Sequence, residues 1–158
     1  MRSAVAVLIE LAAAMASEHP SKTVRFVAFA NEEDPYFGTD GMGSQVHATA
    51  AQEKGENIEG ELNLDMVGIF PEGQNYMLVG GNTASQSLVN SVAESFAGGT
   101  SLPMEKMANA NAMGLYDTDV YSFYEAGYKA VWLTSAGTDT DTTYHTDQDV
   151  YTNLNYTS

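Results

Sequence analysis

The sequence predicts an α/β domain with a mostly parallel sheet, and three observations predict it. Almost continuously apolar, β-rich runs such as "TVRFVAFA" and "YKAVWLTS" suit strands buried on both faces. Amphipathic helical patterns lie between those runs. Acidic residues recur just after the apolar stretches, on the edge of such sheets where ligands sit. The 158 residues suit one domain spanning 1–158.

Each element has a local reason. Residues 3–17 read as a helix because Val5, Leu8, Ile9 and Ala12 recur at helical spacing and His19-Pro20 supplies a stop. An Arg followed by apolar residues also resembles an export signal, but Glu10 interrupts the run. Residues 23–30 read as a central strand, followed by a Pro/Gly-bearing loop over 34–41 and a helix over 42–54. "IEGELNLDMVGIF" reads as the second strand and "NYMLVGG" as the third. The helix "TASQSLVNSVAESFAG" takes Thr83 as its N-cap, Leu88, Val92 and Phe96 as one face and Gly98 just past its end. A strand over 102–108 follows, then a short helix closed by Gly127, and the buried run "YKAVWLTS". From Ala136 onward the composition turns Thr/Asp/Gly-rich and loop-like.

Composition bounds the function. The formal net charge is −15, from 21 acidic against 6 basic residues. That argues against nucleic-acid partners, whose phosphates need Lys and Arg, and against anionic membranes. No apolar run approaches the roughly 18 residues of a membrane span. With no cysteine, disulfides and thiolate metal sites are excluded.

Chemistry concentrates in a few residues. His19 reads as a solvated turn residue and His47 as a packed or surface helix residue, whereas His145 in "TTYHTDQD" follows a buried strand. Asp65 is an acid in the otherwise apolar "LNLDMVG", and Glu32 and Glu33 stand side by side after another apolar run. Burying an unpaired carboxylate costs several kcal/mol unless it is compensated. Four Lys and two Arg leave few salt-bridge partners. A divalent cation would serve as well, since Asp, Glu and His are ligands that zinc accepts. On the residues alone both readings stand.

Several motifs together resemble one family. "VRFVAFANEEDPYFGTDGMGSQVHA" is similar to the Glu-Glu segment of the family-28 metallopeptidases, the di-zinc aminopeptidases. "ELNLDMVG" resembles their metal-binding Asp segment, "TDVYSFYEAGYKAVWLT" their Ser-Asp-His stretch and "YHTDQDVYTNLN" their terminal His segment. The opening "RSAVAVLIELAAAMA" resembles the helix after the family's bridging aspartate.

The resemblance implies a three-layer α/β/α fold with a mostly parallel mixed sheet. It implies two zinc ions, with Glu33 and His145 on one, Asp65 on the other, and Glu32 as the general base acting on the metal-bridging water. Asp119 and Tyr144 would be substrate or supporting contacts. The substrate would be a peptide or protein with a free N-terminus. Such enzymes are often secreted or periplasmic, which leaves the compartment of this chain open.

The sequence departs from the family pattern at three places. The His-x-Asp segment and the bridging Asp would fall before Met1, with the first strands. Val120 replaces the His of the Ser-Asp-His stretch. The chain stops at "NLNYTS", where a last helix is usual. The expectation is a partial catalytic domain with an incomplete ligand set, by itself binding metal weakly, showing little or no peptidase activity and exposing sheet edge that favours self-association. A degenerate, inactive binding module is the alternative. Glutaminyl cyclases and carboxypeptidases share related folds, but the Glu-Glu pair with "NLDMVG" fits aminopeptidases better.

Overall fold

The computed structural model describes residues 2–138 and 141–155. Four helices, α1 (Arg2–Met15), α2 (Gly43–Glu53), α3 (Gln86–Gly99) and α4 (Val120–Glu125), surround four strands. These are β1 (Glu61–Leu64), β2 (Met77–Gly80), β3 (Met104–Lys106) and β4 (Ala130–Ser135), in spatial order β1-β4-β2-β3. β1 runs parallel to β4 and β2 parallel to β3, while β2 and β4 are antiparallel, so the sheet is mixed.

β4 is buried at all six residues, as its apolar sequence requires. The two-residue period of a strand sends alternate side chains to opposite faces. Ala130 and Trp132 join Ala48 of α2 and Val120, Phe123 and Ala126 near α4. Val131 and Leu133 meet Val79 of β2 and Val89 of α3 on the other face. Ala4 of α1 packs with Val67, Met77 and Phe96. Helices thus cover both faces, giving three layers. No helix among the described residues is long and apolar enough to cross a membrane.

Several elements differ from the sequence reading. Residues 23–30 form no strand: they lie beside β1, yet no backbone ladder joins them to it. Phe29 packs against Phe123 and His47, whereas Val24 is 45% and Phe26 37% exposed. An apolar run specifies burial and β preference but not a hydrogen-bonding partner, and here side chains seat without one. The second strand is confined to 61–64, because the left-handed backbone at Met66 (φ 52°) and Gly68 (φ 103°) turns the chain away. His19 is exposed.

Thr83 is not the N-cap. Asn82 accepts from Ser85 N–H at 3.0 Å and opens a 3-10 turn, Thr83–Ser85, that leads into α3. Gly98 lies within α3, which runs to Gly99. Further 3-10 turns, unforeseen in the sequence, occupy Ala110–Met113, Leu115–Asp117 and Tyr151–Asn153. In the Thr/Asp-rich loop, residues 139 and 140 lie outside the described residues, as do the terminal 156–158.

The cap distinguishes the two accounts of α3. Asn82→Ala is expected to cost about 1 kcal/mol in urea unfolding, and Thr83→Ala no more than about 0.5 kcal/mol. Equal costs would contradict the assignment of Asn82.

Candidate functional site

β1 ends at Leu64, opposite Leu133 of parallel β4, and the site residues gather past that end. Asp65 follows β1 directly; its N–H bonds the Leu133 carbonyl at 3.2 Å, and its Oδ1 accepts from Met66 N–H at 2.8 Å. Glu32 and Glu33 follow Asn31, whose positive φ of 61° redirects the chain after the extended 23–30 segment. His145 also has positive φ, 57°, and its Nε2 lies 2.7 Å from Glu33 Oε1 across 112 residues of sequence. The ring of Tyr144 stacks on that of His145 at 3.8 Å.

Glu32, Glu33, Asp65 and Tyr144 line one cleft of about 350 Å³, together with Asp34, Phe37, Met66, Met113, Gly114, Asp117, Thr118 and Trp132. His145 joins them through its contact with Glu33. The cleft is the size of a small-ligand site. Asp119 stands behind it at the start of α4, hydrogen-bonded by Ser44, whose hydroxyl also meets Ser122 at 2.9 Å. His47 is elsewhere, its ring 5.6 Å from Phe29 and 6.1 Å from Phe123.

The electrostatics of the region follow from burial. Glu32 is 9% exposed, and burial followed by the charges of Asp65, Asp119 and Glu33 pushes its carboxyl up to about 8. Burial also raises Asp65 and Asp119, with the Met66 N–H and the Ser44 hydroxyl opposing the respective shifts. Tyr144 is raised by burial and by the negative charges of Glu33, Asp65, Glu32 and Asp117.

One member of this group escaped the sequence reading. Glu61, on the same face of β1 as Asn63 and Asp65, holds its Oε2 buried with no hydrogen-bond partner among the described residues. Burial, and then Asp119, raises its carboxyl well above the ordinary range. The signal was present in "GELNL": an acid within an apolar strand, the same anomaly that marked Asp65.

The donor chemistry suits a metal in type. A carboxylate oxygen and an imidazole nitrogen that meet at 2.7 Å can face one ion, with a second carboxylate in the same cleft. In number it falls short: no group of three or more His, Cys, Asp or Glu converges in metal-binding geometry among the described residues.

A family model described as peptidase family M28 matches residues 3–158. The chain belongs to that family. It is 27% identical over 173 residues to the uncharacterized protein YfbL of Escherichia coli (strain K12), covering 98% of this chain and 53% of that protein. Over 66 residues it is 39% identical to a probable zinc metalloprotease of Phaeosphaeria nodorum, covering 42% of this chain and 12% of that protein. The M28 chain thus spans about half the length of the curated relative it matches from end to end.

Among solved structures, the Legionella pneumophila LapA aminopeptidase superposes with a TM-score of 0.73 at 20% identity, covering 95% of this chain and 39% of that one. The zinc aminopeptidase BSAP of Bacillus subtilis gives 0.68 at 25% identity, covering 94% and 35%. These likenesses establish the mixed α/β fold of this M28 chain as that of the aminopeptidases.

Glu61 gives a stability test. Unfolded, it ionises near 4.5; folded, it keeps its proton to well above that. Its contribution is therefore fully present below pH 4.5 and lost as pH rises toward the folded value. Glu61→Gln removes that loss, so its stability relative to the parent should climb as pH rises above about 4.5 in urea unfolding. A difference that stays flat over that range would show that Glu61 ionises normally in the fold.

Proposed function

We propose that this M28 chain serves as the catalytic domain of a zinc-dependent aminopeptidase, which hydrolyses the N-terminal peptide bond of a peptide or protein. The observation that carries the reading is the convergence of a buried Glu32 with the Glu33–His145 pair and Asp65 on one cleft at the ends of β1 and β4. Family membership supplies the reaction class, and the aminopeptidase neighbours support the finer assignment.

Glu33 and His145 would hold one zinc ion and Asp65 the other. Zinc bound there would supply polarisation of the scissile carbonyl and activation of the attacking water. Glu32 accepts that water's proton and returns it to the departing amine. Its buried position, among Asp65 and Asp119, makes it a stronger base than a solvated carboxylate. Tyr144, on the wall of the cleft, presents a phenol that donates to the substrate. Asp119, hydrogen-bonded by Ser44, sustains the negative field behind Glu32. Val120, where the family has His, is completely buried and faces the apolar layer of α4.

With three ligands shared between two ions, the 158-residue chain by itself should bind zinc weakly in a calorimetric titration. Two tightly held ions would contradict that. Hydrolysis of an aminoacyl reporter, set against cyclisation of a peptide with N-terminal Gln, tests the reaction. In the zinc-loaded protein, Glu32→Gln is expected to lower kcat by about 10²–10⁴ with zinc content unchanged. Undiminished hydrolysis in that variant would remove Glu32 from the reaction.

A further inference from the structure

We propose that the cleft selects peptides whose first residue is cationic, lysine or arginine, and that Asp117 on its wall receives that side chain's charge. The inference rests on the aminopeptidase reading above and names its substrate class.

Five carboxylate residues line the cleft: Glu32, Glu33, Asp34, Asp65 and Asp117. Among the described residues no Lys or Arg lines it. Glu32, Glu33 and Asp65 are committed to the base and ligand roles, and Asp34 continues the same loop beside them. Asp117 belongs to a different wall, the 3-10 turn Leu115–Asp117, and it is exposed. None of the ion pairs among the described residues engages it. It nevertheless lines the same cleft as Tyr144 and the carboxylates of the other wall.

Beside Asp117 the wall of the cleft carries a glycine, Gly114. Gly114 adopts φ +89°, a conformation that favours glycine, and a Cβ there would stand 3.5 Å from Asp117 Oδ2. The absent side chain leaves the approach to that carboxylate open. Phe37, Met113 and Trp132 supply apolar surface for the methylene stem that lysine and arginine carry beneath their charge. An N-terminal lysine brings two positive charges, its α-ammonium and its ε-ammonium. A wall carboxylate separate from the metal-binding loop gives the second charge its own partner. A leucine leaves Asp117 unpaired, and a glutamate repels it.

The test compares kcat/KM for Lys-, Leu- and Glu-aminomethylcoumarin on the zinc-loaded protein, full-length if the gene extends beyond this chain. Lysine is expected to exceed leucine by about tenfold, equivalent to about 1.4 kcal/mol, with glutamate lowest. Asp117→Asn should reduce the Lys:Leu ratio by about tenfold, and Asp117→Lys should raise the Glu:Lys ratio above that of the parent. A parent that prefers leucine overturns the proposal while leaving the aminopeptidase reading in place. So does an Asp117→Asn variant that slows all three substrates equally, which would assign Asp117 to the α-ammonium. Hydrolysis of none of the three overturns the aminopeptidase reading, and this inference falls with it.

Discussion

Four carboxyl groups, Glu32, Glu61, Asp65 and Asp119, are buried wholly or in part around one end of the sheet, and burial is the largest cause of the raised pKa of each. A charge withdrawn from water must be paired or protonated. Among the described residues, the side-chain ion pairs that involve Lys or Arg, Lys22–Glu59 and Arg25–Glu56, lie elsewhere. The region is therefore poised either to hold protons or to hold cations. Its proposed chemistry uses both: Glu32 would take up and return a proton, and Asp65 with Glu33 and His145 would face metal.

The architecture around those groups explains their placement. β4 is apolar enough to be buried throughout, so it anchors both helical layers and fixes the level at which β1 ends. Past that level backbone geometry takes over. Positive φ at Asn31, Met66 and His145 marks the three places where the chain turns to bring Glu32–Glu33, Asp65 and His145 to one cleft. Left-handed backbone at non-glycine residues is uncommon, and its clustering at a site is a form of stored positional constraint. The similarity to aminopeptidase structures at TM-scores of 0.68 to 0.76 shows that they share the fold that carries this arrangement.

The sequence was most informative where one physical requirement dominated. β4 and β2 were legible because wholly buried strands must be apolar, and α2 and α4 were legible in type from their patterning. Residues 23–30 misled for a related reason: their apolar run reported the seating of Phe29 and its neighbours, while strand formation depends on a partner that a run cannot name. Asn82 took the cap from Thr83 because a 3-10 turn preceded α3, a shift of one residue that composition does not encode. At the site, Glu33 and His145 are 112 residues apart, and only the resemblance linked them beforehand. Glu61 and Asp117 went unread. The first was a buried acid overlooked beside Asp65; the second acquires meaning only from the wall on which the turn puts it.

The central claim is that Glu33 and His145, now in direct contact at 2.7 Å, are two ligands of one zinc. The most direct measurement is anomalous diffraction at the zinc edge from crystals soaked in excess zinc. The account predicts an anomalous peak within about 2.0–2.2 Å of both Glu33 Oε1 and His145 Nε2. Zinc bound only at other residues, with the Glu33–His145 hydrogen bond intact, would contradict it.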